Sequence, residues 1–373
     1  MPPTKNHYPF YSPRFWHGMR PATWAKLLAQ GGFRVDPSRV PMLIGVTATT
    51  PFNALMAGVQ NVVRRADLAD AKLHGPPVFI IGHWRSGTTM LHELLVRDER
   101  FGSPTTYQCF APHHFLVTGS LIRRFGGWLI PGRRPMDNMT AGWELPQEDE
   151  FAIMNLGLPS PYRRMAFPRQ DDVDTDYLDL EGVPATDRDH WAATLHRFLA
   201  NVSVASDRPL IVKSPTHTGR VKLLAETFPG AKFVHITRDP RMLYPSTCRL
   251  WQSLDDVQGL QRITDSADTS RLHDYVIGCF RRMYDAFHRD RDAIDDGHLI
   301  DIRYEDLVAD PVETIADVYH RLHLADFETA RPELQRWATE EHRQYQPNTH
   351  QLDDKIEHIL RQHWADYFER YGY

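Results

Sequence analysis

The sequence predicts a three-layer α/β domain built on a parallel sheet, with helical extensions at both ends. Three observations predict it. Short apolar runs alternate with helical patterns through the middle of the chain. The first run is followed at once by a glycine-rich turn and a helix pattern. The composition is that of an ordinary folded protein, with 42% hydrophobic and 24% charged residues.

The first strand is Val78-Phe-Ile-Ile81, a compact β-branched and aromatic run after Pro76-Pro77. The turn after it leads into a helix marked by Met90, Leu91, Leu94 and Leu95. A second unit opens with Trp191, Leu195, Phe198, Leu199 and Val202 at helical spacing and continues into the strand Leu210-Ile211-Val212. Val221, Leu224 and Phe228 share the face of a further helix, which Pro229-Gly230 stops. Residues Lys232 to Thr237 form the third strand candidate and Leu299 to Arg303 the fourth. A helix is expected after Asp310-Pro311, where proline suits the first helical position.

This pattern divides the 373 residues into an N-terminal helical extension (1–70), an α/β domain (71–330) and a C-terminal helical closure (331–373). The stretch from about 100 to 190, rich in Pro, Gly and aromatics, is expected to form long substrate-side loops. In the tail, Ile356, Ile359, Leu360, Trp364, Tyr367 and Phe368 recur at helical spacing. No internal repeat or low-complexity tract interrupts the chain.

Lys and Arg number 43 against 48 Asp and Glu, a formal charge of −5, which excludes a dedicated nucleic-acid binder. Cys109, Cys248 and Cys279 are widely spaced and odd in number, so they suit a reducing, cytoplasmic setting better than a disulfide framework. The N-terminus lacks the apolar core of a secretory signal. From Val40 to Val63 no residue is charged. Prolines, Asn53, Gln60, Asn61 and three threonines dilute that stretch as a membrane span. Two expectations therefore stand for it: a buried helical hairpin, or a patch giving peripheral contact with a membrane or lipid-like acceptor.

The most informative residues are Gly82-His-Trp-Arg-Ser-Gly87-Thr88-Thr89, between the first strand and its helix. Their spacing is that of a P-loop, whose backbone N–H groups and helix N-terminus face a phosphate. Thr88 stands where such a loop carries the lysine that reaches the β- and γ-phosphates of a nucleoside triphosphate. Arg85 supplies a cation nearer by, which suits a single 5′-phosphate group. The third strand ends in Arg238-Asp239-Pro240 instead of a magnesium-binding aspartate, with Ser246 in the helix that follows. An arginine at the carboxyl end of a parallel strand points into the ligand crevice, and Arg238 with Ser246 matches a second phosphate.

Four segments in this order are similar to the sulfotransferases that use 3′-phosphoadenosine 5′-phosphosulfate, particularly the bacterial branch related to tyrosylprotein sulfotransferases. They begin at Phe79, Lys213, Phe233 and Arg303 and read FIIGHWRSGTT, KSPTHT, FVHITRDP and RYEDL. The resemblance implies that Arg85, Ser86, Gly87, Thr88 and Thr89 hold the 5′-phosphosulfate, and that Arg238 and Ser246 hold the 3′-phosphate. It implies that Tyr304 lies near the adenine and that Lys213 contacts the bridging oxygen and the leaving sulfonate. Backbone N–H groups, Arg85 and Lys213 then stabilise the departing bisphosphate without a metal.

The base does not transfer from the resemblance. Pro215 occupies the position of the histidine in the cytosolic branch, and the Glu-Glu pair of the tyrosylprotein branch is missing near Pro104. The candidates are Glu148, which leads into apolar Phe151-Ala-Ile-Met154, and His217, four residues after Lys213, with His113 as a third. His113-His114 and the pair His320 and His323 have no acidic or cysteine partner nearby in sequence, so no metal site is expected.

The reaction implied is sulfuryl transfer to a hydroxyl or amine. A P-loop kinase and a non-catalytic nucleotide-binding protein are the alternatives. Trp143, Phe110, Phe115 and Tyr162 in the long loops point to a roomy, partly apolar acceptor site, so a small molecule or lipid is favoured over a protein. Nothing in the sequence sets the oligomeric state.

Overall fold

The computed structural model describes residues 8–9, 11–132, 140–170, 173–263, 266–340 and 353–373. The helices α1 (Pro21–Gln30), α2 (Val40–Val63) and α3 (Arg65–Ala69) precede β1 (Val78–Ile81). Then come α4 (Thr88–Leu95), α5 (Thr106–Phe110), α6 (Phe115–Phe125), α7 (Glu150–Leu156) and α8 (Ala185–Ser206). The remaining α/β core is β2 (Ile211–Lys213), α9 (Val221–Thr227), β3 (Lys232–Thr237), α10 (Pro240–Gln258), α11 (Ser266–Asp290) and β4 (Leu299–Arg303). Helices α12 (Tyr304–Ala309), α13 (Pro311–Leu322), α14 (Phe327–Glu340), α15 (Asp354–His363) and α16 (Ala365–Tyr371) complete the chain.

The four strands form one parallel sheet in the order β2-β1-β3-β4. Val78 sits opposite both Ile211 and Lys232, and Phe233 opposite Leu299. All four side chains of the central strand β1 are buried, as expected when both faces of a parallel sheet are covered. Alternation then divides the apolar residues between two cores. Phe79, Ile81, Val212 and Phe233 join one cluster with α8, α10 and α11. Val78, Ile80, Val234, Ile236 and Ile300 join the other with α4, α13 and α14. Each large side chain removed from water in this way contributes about 1.5–3 kcal/mol. The three layers follow from a period of two in the strands and 3.6 in the helices.

The helix ends obey their sequence signals. Asp310 caps α13 by accepting from the Glu313 amide at 3.1 Å, with Pro311 at the first helical position. Asp239 does the same for α10 through Arg241 N at 2.9 Å, again followed by a proline. The tail helices seat on the end of β3. Trp364 stacks on Phe280 at 3.8 Å, and Tyr367 Oη accepts from the Arg238 amide at 3.1 Å.

Three expectations need correction. Residues 40–63 form one continuous helix instead of a buried hairpin, and much of its length is exposed. The stretch from 100 to 190 contains the helices α5, α6 and α7 and several 3-10 turns, not loops alone. Trp143, Phe110, Phe115 and Tyr162 are buried in the main core and therefore line no roomy open site.

Candidate active site

All four strands deliver residues to one crevice at their carboxyl ends, the usual ligand position in an open α/β sheet. The loop after β1 is tightly constrained. Gly82 has φ +140°, and a Cβ there would lie 2.4 Å from the Ile236 carbonyl oxygen. Gly87 has φ +106°, and a Cβ would meet the Tyr304 ring at 2.4 Å. Glycine is the residue that fits both positions. Arg85 between them also has a positive φ, 69°, a conformation costing about 1–3 kcal/mol that the surrounding packing must hold. The loop is anchored from outside by Thr218, whose Oγ1 accepts from the Gly82 amide at 2.8 Å.

The loop ends on the N-terminus of α4, whose first residues are Thr88 and Thr89. Ser86 Oγ is buried and has no hydrogen-bond partner among the described residues. An orphaned hydroxyl beside a helix N-terminus and an arginine is the donor set that a phosphate or sulfate oxygen satisfies.

Arg85, Arg238, Ser246 and Tyr304 come together although they are far apart in sequence. Arg85 Nε donates to Ser246 Oγ at 3.0 Å, and Arg238 Nη1 donates to the Arg85 carbonyl at 2.8 Å. The Arg238 guanidinium lies over the Tyr304 ring, 4.1 Å from its centroid. Tyr304 therefore packs against both the loop glycine and the strand-end arginine.

The acidic run separates into three different roles. Glu148 Oε1 accepts from Lys213 Nζ at 2.6 Å, and Lys213 Nζ is also 3.4 Å from Thr89 Oγ1. Glu148 Oε2 accepts from the Tyr162 hydroxyl, and Trp84 Nε1 donates to that same hydroxyl at 2.8 Å. Burial, reinforced by the Glu148 charge, raises the Tyr162 phenol well above its ordinary value, so it stays a neutral donor. Glu148 retains 15% side-chain exposure, whereas its neighbours Asp149 and Glu150 have none.

Asp149 accepts from Ser214 Oγ at 2.6 Å and pairs with His217 Nε2 at 2.7 Å. Glu150 pairs with Arg220 Nη1 at 2.6 Å and accepts from Thr216 Oγ1 at 2.8 Å. Burial alone would raise these two carboxyls, but His217 and Arg220 respectively hold them below their ordinary values. His217 is wholly buried, edge-on to Phe79 and Trp191, so it faces the interior instead of the crevice. His113 lies apart, with Nε2 bonded to the Asn155 carbonyl at 3.1 Å.

Sequence reasoning assigned no role to Trp84, Thr218 or Arg220, and it read Tyr162 as acceptor-site lining and His217 as a candidate base instead of as partners of Glu148 and Asp149. Trp84 sits inside the loop motif, but Tyr162 reaches Glu148 only through the fold, and no spacing signals it. Among the described residues no group of three or more His, Cys, Asp or Glu is arranged to hold a metal ion.

The comparisons with known proteins agree with this architecture. A sulfotransferase family profile matches residues 76–329, the segment that carries the whole sheet and the crevice. The chain belongs to the sulfotransferase family. Curated sulfotransferase relatives from Mycobacterium bovis and Mycobacterium tuberculosis, each named omega-hydroxy-beta-dihydromenaquinone-9 sulfotransferase Stf3, are 39% identical over 358 residues. That match covers 96% of this chain and 91% of each relative. The crystal structure of sulfotransferase STF9 from Mycobacterium avium has the same fold, with a TM-score of 0.62 at 16% identity over 95% of this chain and 96% of that one. Sulfotransferase STF1 from Mycobacterium tuberculosis gives 0.55 at 18% identity, over 84% of each chain. The sulfotransferase reading replaces the kinase alternative, in keeping with Thr88 at the Walker lysine position.

Proposed function

We propose that this sulfotransferase moves a sulfuryl group from 3′-phosphoadenosine 5′-phosphosulfate to a hydroxyl on a hydrophobic small molecule or lipid. The observation that carries the donor assignment is the Arg85–Ser246 bond at 3.0 Å, with Arg238 on the Arg85 carbonyl. It makes two cation-bearing phosphate sites adjacent, as a nucleotide with phosphates on both ribose ends requires. The loop amides, Arg85, Ser86, Thr88 and Thr89 would bind the 5′ end, Arg238 and Ser246 the 3′-phosphate, and Tyr304 the adenine side.

Glu148 is the base in this reading. It is the candidate that combines crevice exposure with a direct bond to Lys213. Its carboxylate takes the acceptor proton as the acceptor oxygen bonds to sulfur. The bond between sulfur and the donor's bridging oxygen breaks, and adenosine 3′,5′-bisphosphate leaves with the electron pair. Lys213, buried and within reach of both Glu148 and Thr89, neutralises the charge that develops there. Tyr162 and Trp84 orient the carboxylate and leave its proton-accepting function intact. This assigns the chemistry to the chain's own residues.

The acceptor class rests on the 39% identical Stf3 relatives, whose name describes a hydroxylated menaquinone. The three cysteines are buried and form no disulfide, which supports a cytoplasmic setting. Calorimetric titration without metal tests the donor. Adenosine 3′,5′-bisphosphate should bind at least about a hundredfold tighter than 5′-AMP, because charge-assisted bonds to the 3′-phosphate are each worth about 1.5–3 kcal/mol. Equal or tighter binding of ATP would overturn the reading.

A further inference from the structure

Helix α2 has its polarity reversed relative to an ordinary surface helix. Its inward face is Val46, Thr50, Asn53, Ala57 and Gln60. The polar members of that face tie the helix to the protein. Asn53 Nδ2 donates to the carbonyls of His17 and Met19 at 2.6 and 2.9 Å, and its Oδ1 meets His114 Nε2 at 3.2 Å. Gln60 Oε1 accepts from the Leu116 amide at 2.9 Å, joining α2 to the start of α6. The outward face is apolar: Ile44 is 62% exposed, Phe52 51%, Leu55 62% and Val62 78%. Helix α6, packed beside α2, and the turn after it add exposed Leu121, Phe125 and Trp128.

A second observation identifies what covers this face. Residues 1–65 contain eight Lys and Arg against the single acid Asp36, in a chain whose formal charge is −5. Between Phe101 and Trp143 there are four arginines and one acid, Asp137. Arg20, Lys26, Arg34, Arg65, Arg123 and Arg124 are exposed. A broad apolar face on segments this basic complements a surface that is apolar beneath and anionic on top. We propose that α2 and α6 dock the enzyme on an anionic lipid bilayer, with α2 lying in the interface.

Helix α2 is long and apolar enough to cross a membrane, but its inward polar side chains are committed to protein partners, so it rests on the bilayer without crossing it. The docking face also connects to the crevice. The segment before Glu148 is bonded to the start of α5, through Thr106 N to Leu145 O and Gln147 N to Pro104 O, each at 2.9 Å, and α5 in turn packs against α6. An acceptor dissolved in the bilayer would thus meet the enzyme beside the elements that hold Glu148. The inference concerns a surface apart from the donor site and does not depend on the donor assignment.

Sedimentation with vesicles tests it on the full chain. Protein is mixed with phosphatidylcholine vesicles, with and without phosphatidylglycerol, at low and high salt. At low salt it should partition at least about tenfold better onto the anionic vesicles, since each basic residue near such a surface is worth about 1 kcal/mol. The double variant Phe52→Ser/Leu55→Ser should lose about tenfold or more of that binding while keeping the melting temperature and affinity for adenosine 3′,5′-bisphosphate of the parent. Parent protein that stays in the supernatant with anionic vesicles, or a double variant that sediments like the parent, overturns the proposal. So does a parent that sediments as a dimer in free solution with a monomeric double variant, because a second copy would then cover the face. The bisphosphate titration on the same samples reports separately on the donor assignment.

Discussion

The Lys213 ammonium lies 2.6 Å from Glu148 Oε1 and 3.4 Å from Thr89 Oγ1, so one buried cation links the carboxylate to the end of the glycine-rich loop. In the proposed mechanism, proton acceptance and charge neutralisation are therefore set up at one point. Replacing Glu148 with Gln keeps an oxygen acceptor for Lys213, turns the atom facing the Tyr162 hydroxyl into a donor, and removes the proposed base. Turnover should fall by about 10²–10⁴, the usual worth of a general base, while calorimetry finds the affinity for adenosine 3′,5′-bisphosphate unchanged. Lys213→Ala should lower turnover by about 10²–10³. Full turnover in either variant would remove that residue from the mechanism.

Arg238 reaches the glycine-rich loop through the Arg85 carbonyl, and Ser246 reaches it through Arg85 Nε. In Arg238→Ala, affinity for adenosine 3′,5′-bisphosphate should drop by about tenfold to a hundredfold, with 5′-AMP affinity little changed. The contrast between the two ligands is the readout. A parallel loss for both would mean that Arg238 acts by holding the loop, not by binding the 3′-phosphate.

Much of this was legible in the sequence, and what was not has a physical reason. The strands and the loop were legible because β-branched runs, glycines at fixed offsets and proline-led helix starts are local signals. The clustering of Arg85, Arg238, Ser246 and Tyr304 followed from motif order, since parallel strands place their carboxyl ends at one edge. The divergence within Glu148-Asp149-Glu150 was not legible. Adjacent side chains look identical in sequence, and only the fold decides that Asp149 and Glu150 turn inward to His217 and Arg220. Tyr162 was read as acceptor-site lining, and its bond to Glu148 was hidden for the same reason. The reversal of α2 was hidden differently: its uncharged sequence says that something apolar must be covered, but only burial shows which face is left outside.

That divergence makes the three acids separable by experiment. Glu150 and Arg220 are both fully buried, so Glu150→Ala leaves an uncompensated guanidinium in the core. Such a loss costs about 3–5 kcal/mol, and thermal or denaturant unfolding should register it directly. Asp149→Ala should also destabilise, because it strands Ser214 and His217 together. Glu148→Gln removes the anion beside Lys213 but keeps an oxygen acceptor for it at a site with 15% exposure, so it should destabilise less than Glu150→Ala. Equal destabilisation by Glu148→Gln and Glu150→Ala would mean that Glu148 too is mainly a structural anchor.

Acid should unfold the protein through its buried histidines. Burial depresses His17 and His114 to about 4 and His83 and His113 to about 3, because their neutral rings sit away from water and lack a compensating anion. In the unfolded chain each returns to about 6.5. The unfolded state therefore binds more protons below that value, and the stability these groups contribute is present above about pH 6.5 and lost as pH falls toward their folded values. Each adds a slope of up to about 1.4 kcal/mol per pH unit in that window. Asp255 works in the opposite sense: burial raises it to about 6 despite Arg164, so its folded state takes up a proton first and offsets one histidine between about pH 6 and 4. The net expectation is that stability measured by urea unfolding decreases from pH 7 to pH 5. His113→Gln, which keeps a donor for the Asn155 carbonyl, should reduce that slope by up to one proton. A stability that is flat or rising between pH 7 and pH 5 would show that these rings accept protons in the folded state.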